Sequence, residues 1–116
     1  MGGLDKIQPT EYAEQVAFRQ WLDLMKLPYF RVPNETYTKS WRQKRMNTEL
    51  GVKAGVPDIF ICVAGRVVAV EMKRIKGGVV SPHQKEWIET LNEHGLETVV
   101  ARGASEAIEF IERKLK

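Results

Sequence analysis

The sequence is poor in the residues that build cross-linked or zinc-held scaffolds. One cysteine, Cys62, and two histidines, His83 and His94, are spread over 116 residues. A lone thiol forms no internal disulfide, so nothing marks the chain as a secreted, disulfide-stapled domain. One thiol with two scattered imidazoles is no structural zinc set either. Cys62 lies inside an apolar run and is expected to pack in the core. No apolar stretch approaches the ~20 residues that cross a bilayer, and the N-terminus lacks a signal-peptide core. Met1-Gly2 is followed by Lys6 where a myristoylation motif wants Ser or Thr, which sets a lipid anchor aside. Internal repeats and low-complexity tracts are missing. With 43% hydrophobic and 28% charged residues, the chain has material for one core but not two. A cytoplasmic location is the expectation. The net charge of +3 leans mildly toward a polyanionic partner.

The most informative stretch is Gly55 to Lys73, GVPDIFICVAGRVVAVEMK. Two β-branched apolar runs, Ile59–Ala64 and Val67–Val70, flank Gly65-Arg66, the pattern of a β-hairpin with a two-residue turn. With Gly65 and Arg66 as the turn, Ala64 pairs with Val67, Asp58 falls opposite Lys73, and Phe60 falls opposite Glu71. Side chains alternate faces along a strand, so Asp58, Glu71 and Lys73 leave one face together, with Glu71 diagonal to Asp58. Such charges at an apolar rim are costly unless they pair or bind something. Two converging carboxylates suit a hard divalent cation such as Mg²⁺. A lysine beside them can hold a water without competing for the ion. That set fits metal-assisted phosphodiester hydrolysis. The plainer reading is an interstrand Asp58–Lys73 ion pair with Glu71 solvated. The motif is weak alone and gains weight from its place on a strand–turn–strand unit.

Residues 1–9 form a loose lead-in, and residues 10–116 one domain. Thr10 is placed to cap a helix running to about Lys26, with Ala17, Phe18, Trp21 and Met25 as its apolar stripe. Glu14 shares that side of the helix. It is either a boundary residue reaching water or a third carboxylate aimed at the same ion. Pro28 closes the helix, and Tyr29–Val32 is a short strand ending at Pro33-Asn34. Residues 34–54 have no clean period and carry Lys39, Arg42, Lys44, Arg45 and Lys53, interleaved with Tyr37 and Trp41. Ser40 can cap a short helix there. This segment is either a solvated charged face or a phosphate-contacting arm with an aromatic available for stacking; the arm is favoured. Arg74 and Lys76 lie on a second basic, glycine-bearing loop next to the hairpin exit. Ser81-Pro82-His83-Gln84 is a helix start with Gln84 closing a capping box. Trp87, Ile88 and Leu91 face inward, and Gly95 ends that helix. Glu97–Ala101 is a further strand. Ser105 opens a last helix with Ile108, Ile111 and Leu115 on its core face. The order α-β-β-β-α-β-α is α/β, helices against a small mixed sheet.

These pieces together resemble the VRR-Nuc domain, the virus-type replication-repair nuclease branch of the PD-(D/E)XK phosphodiesterases. The matching residues are Glu14, Asn34-Glu35, Gly55-Val56-Pro57-Asp58, Glu71-Met72-Lys73, Gly78 through Gln84, the Trp87 helix and the Gly95 turn. They span Pro9 to Leu115; residues 36–50 match least. The resemblance implies a restriction-endonuclease-like αβββαβ core. It also implies Mg²⁺ or Mn²⁺ held by Asp58, Glu71 and the Met72 carbonyl, with Lys73 positioning the attacking water. Glu14 would complete the acidic cluster, directly or through water, and Gln84 would lie near the metal as well as capping its helix. Stand-alone members of this length are similar to phage-encoded nucleases and to small dimeric junction resolvases. The expected function is therefore a metal-dependent endonuclease acting on branched DNA, as a homodimer, with no small-molecule cofactor. The alternatives are a non-catalytic DNA-binding module and a restriction-type nuclease whose partner chooses the target.

Overall fold

Thr10 starts the first helix as expected: its hydroxyl accepts from the Ala13 N–H at 3.0 Å, satisfying one of the free donors of the first turn. The computed structural model describes residues 8–33 and 38–116. Its elements are α1 (Glu11–Leu24), β1 (Tyr29–Arg31), α2 (Trp41–Glu49), β2 (Ile59–Val63), β3 (Arg66–Lys73), α3 (Pro82–Glu93), β4 (Thr98–Arg102) and α4 (Ala104–Lys114). Asn34, Glu35 and Tyr37 lie outside the described residues, as does most of the N-terminal lead-in. The fold is α/β, with four helices and a four-stranded mixed sheet among the described residues.

The sheet order is β1-β2-β3-β4, antiparallel except for the parallel β3–β4 pair. A parallel pair needs a crossover, and α3 supplies it. One face carries the core. Ile59, Ile61, Val63, Val68, Val70, Met72 and Ala101 meet Phe18 and Leu22 of α1 and Ala107, Phe110 and Ile111 of α4. Each fully buried large side chain there contributes about 1.5–3 kcal/mol. β3 is buried from Val68 to Lys73, because helices lie on both of its faces. α3 covers the opposite face, with Trp87, Ile88 and Leu91 turned to the sheet but only half-buried.

Several expectations are corrected. The hairpin turn is Ala64-Gly65, one position earlier than Gly65-Arg66: Val63 pairs with Arg66 and Phe60 with Ala69. Both turn residues have positive φ, 54° and 78°, the requirement of a type I′ two-residue turn whose twist matches the strands. Extending that ladder by one step sets Asp58 opposite Glu71, not Lys73. The pairing moves by two residues, so face parity is kept. Cys62 is exposed, because it alternates out of the core between Ile61 and Val63. The buried line of α1 is Glu14, Phe18 and Leu22; Trp21 flanks it, while Ala17 and Met25 are exposed. α1 wedges between α4 and β3, which selects this line. The short helix that Ser40 can cap is present as α2, although the order α-β-β-β-α-β-α left it uncounted. α4 begins at Ala104 with Gly103 as N-cap. Ile111 is buried and Ile108 half-buried, whereas Leu115 lies beyond the last turn and is exposed.

Candidate active site

The site is assembled at one end of β2 and β3. Asp58 arrives on the loop before β2, and its carbonyl accepts from the Val32 N–H at 2.9 Å, prolonging the pairing with β1. Gly55 holds this loop against the first turn of α3. Its φ is +86°, and a Cβ there would lie 2.6 Å from the His83 carbonyl carbon and 2.8 Å from the Gln84 nitrogen. Only glycine tolerates both the conformation and the approach. The Asp58 side chain is buried, and its Oδ2 accepts from the Met72 N–H at 2.7 Å.

Glu71 is 1% exposed. Its Oε2 accepts from Gln84 Nε2 at 3.0 Å and lies 3.7 Å from Lys73 Nζ. Its Oε1 is buried with no hydrogen-bond partner. Burial, and then the negative charge of Asp58, push the Glu71 pKa up from 4.5 to about 8; the Lys73 ammonium offsets only part of this. Asp58, Glu71 and Lys73 thus meet at one place, but the ion pair is Lys73–Glu71. The reading with an Asp58–Lys73 pair and a solvated Glu71 is overturned. Gln84 does two jobs. Its Oε1 accepts from the Ser81 N–H at 2.9 Å, closing the capping box with the Ser81 hydroxyl, while its Nε2 reaches Glu71.

Glu14 is buried on the sheet side of α1. One oxygen accepts from the Ala104 N–H at 3.0 Å, supplying the side-chain cap that Gly103 cannot give α4. The other oxygen, Oε2, is buried without a partner. Among the described residues, no three His, Cys, Asp or Glu side chains form a group that could hold a metal. The inner pair is therefore Asp58 and Glu71, with Glu14 turned toward α4. Two desolvated carboxylates, one raised pKa and one orphaned oxygen form an electrostatically incomplete set. Oxygen donors of this kind suit a hard divalent cation, and Mg²⁺ commonly takes only one or two carboxylates and keeps several waters.

The VRR-NUC domain family model matches residues 9–105 of this chain. The chain belongs to the VRR-NUC family. This is a nuclease-type domain family. A solved structure described as a VRR_NUC domain protein superposes with a TM-score of 0.74 and 29% identity, over 93% of this chain and 89% of that one. No curated protein matches.

The cations of this VRR-NUC chain expected to contact DNA, with Trp41 among them, lie on the surface, whereas Lys73 is buried. Lys39, Trp41, Arg42, Lys44, Arg45, Lys53, Arg74 and Lys76 are all exposed. α2 buries nothing, and Lys44 Nζ sits 4.9 Å from the centre of the Trp41 ring. Three contributors escaped the sequence reading. Glu11, in the first turn of α1, lies close enough to raise the Glu71 pKa further. Gly103 gives Glu14 its place beside α4. Arg102, paired with Lys73 across the sheet, donates from Nη1 to the Gly78 carbonyl at 2.8 Å and ties down the 74–78 loop. A basic residue closing the strand that follows the α3 crossover was the available signal for Arg102.

Proposed function

We propose that this chain is a Mg²⁺-dependent endodeoxyribonuclease, served also by Mn²⁺, that cuts branched DNA such as four-way junctions or flaps during replication, recombination or repair in the cytoplasm. The observation that carries the reading is the convergence of Asp58, Glu71 and Lys73 around a buried carboxylate oxygen with no partner. Asp58 and Glu71 would hold the ion with the Met72 carbonyl, and Glu14 would add its free oxygen through water. When bound, the metal would supply charge neutralisation at the scissile phosphate and a lowered pKa for the attacking water. Lys73 would hold that water, and Gln84 fixes the rotamer of Glu71. The exposed cations of α2 and of the 74–78 loop, with Lys39 and Lys53, would grip phosphates, and Trp41 would stack. Among the described residues no element is built to read a run of base pairs in a major groove, which favours selection by DNA shape.

Cleavage of a panel comprising four-way junction, 5′ flap, 3′ flap, single strand and linear duplex tests the reading. Cutting of the branched members with Mg²⁺ or Mn²⁺, abolished by EDTA while binding persists, is the expected result. Failure to cut any member with either metal would refute it.

A further inference from the structure

A cavity of about 310 Å³ opens between α1 and the edge strand β1, and reaches the acid cluster at Asp58. One wall is a single helical stripe, Tyr12, Gln15, Val16 and Arg19, at the spacing that lines up side chains along one side of a helix. The other wall is Tyr29 and Arg31, the two β1 residues paired with Ile61 and Ile59 and so on the core side of the sheet. α1 lies over β3 and against α4, which leaves the β1 side of the helix facing the cleft.

The two ends of the cleft differ. At the far end Asp23 binds both walls: Arg19 Nη1 sits 2.7 Å from its Oδ2, and the Tyr29 hydroxyl donates to its Oδ1 at 2.7 Å. That end is fixed and its arginine is neutralised. At the near end Arg31 stands one ladder step from Asp58, and its guanidinium has no hydrogen-bond or ion-pair partner among the described residues. Tyr12, at the start of α1, is 77% exposed. An apolar floor, an aromatic ring at the mouth and an uncommitted cation beside a buried acid match the parts of a nucleotide. The volume is near the small end of the roughly 300–1,000 Å³ range of small-molecule sites. It admits one nucleoside and excludes a base-paired duplex.

We propose that the α1–β1 cleft receives one unpaired nucleoside next to the phosphodiester being cut, with Tyr12 against the base and Arg31 on the neighbouring phosphate. The proposal rests on the nuclease reading of Asp58, Glu71 and Lys73 and narrows it. A nucleotide enters such a cleft at low cost only where it is already unpaired or weakly stacked, so the substrate class is DNA with an open position at the cut. The preference for branches then comes from this cleft, without any reading of sequence.

The test uses the full chain and a four-way junction or flap, with 2-aminopurine placed at one position at a time around the branch. Fluorescence is read in EDTA, where nothing is cut. The expected result is a change confined to one position. Its amplitude, read at protein concentrations that saturate the DNA in every variant, falls about fivefold or more in Tyr12→Ala, is reduced in Arg31→Ala and survives in Tyr12→Phe. Both positions are exposed, so the variants are expected to fold. No responding position, or the same response in wild type, Tyr12→Ala and Arg31→Ala, would overturn the cleft. A wild-type protein that gives the position-specific response but cuts nothing with Mg²⁺ or Mn²⁺ keeps the cleft as a nucleoside site and removes the nuclease reading.

Discussion

Glu71 ionises near 4.5 when unfolded and near 8 in the folded, metal-free chain. Between those values the native state holds a proton that the unfolded state has lost. Its contribution to stability is therefore complete below the unfolded pKa and disappears as pH rises through the folded one. Melting temperatures in EDTA should fall from about pH 5 to about pH 8.5, and Glu71→Gln should flatten that slope. For the reaction, Asp58→Asn or Lys73→Ala should each lower cleavage by about a hundredfold or more while DNA binding in EDTA persists. Full activity of Asp58→Asn would sink the metal assignment. These three residues were legible because strand alternation survives a turn misplaced by one position: the partner shifts by two, and the face stays the same. Gln84 was legible as a cap because its box is local. Glu14 bonding to Ala104, a partner 90 positions away, has no local sign, and neither does the juxtaposition of Tyr12 with Arg31.

α2 shows how an element hides from periodicity. Helical patterning records a buried face, and this helix has none; only the Ser40 cap and the charges mark it. Nine residues are also below the ~12–15 at which an isolated helix holds in water. It leans on its cap, on the Gln43–Asn47 side-chain bond at 2.8 Å and on Lys44 over Trp41. Replacing both Arg42 and Arg45 by alanine should weaken DNA binding and lower the slope of log affinity against log salt by about 2; an unchanged slope would place the phosphate contacts elsewhere. The loop from α2 to β2 depends on Gly55. Gly55→Ala drives a methyl into the α3 backbone, and should cost about 1–3 kcal/mol of stability and depress cleavage by shifting Asp58 relative to Gln84. Thermal melts and single-turnover rates read the two effects separately. Cys62 marks the limit of composition: a thiol in an apolar strand looked like core, yet its face of β2 is the one α3 leaves open.

Across the whole molecule, one core holds the sheet between α1 with α4 and the crossing α3. The family match ends at residue 105, yet Ala107, Phe110 and Ile111 of α4 are buried beyond it, so the fold needs the last helix as well as the matched segment. At the β1–β2 end of the α3 side of the sheet, which α3 does not reach, Phe30 is 55% exposed and stacks on Phe60 with ring centres 5.2 Å apart. A two-fold pair of chains would present two sites to a symmetric four-way junction. Light scattering at micromolar concentration should report twice the monomer mass; monomer alone throughout that range would count against the pair. One side chain ties this architecture to its chemistry. Gln84 grips the start of α3 with one end and the Glu71 carboxylate with the other. Fraying at that helix end and misaiming of the acid are thus a single equilibrium, and whatever steadies one steadies the other.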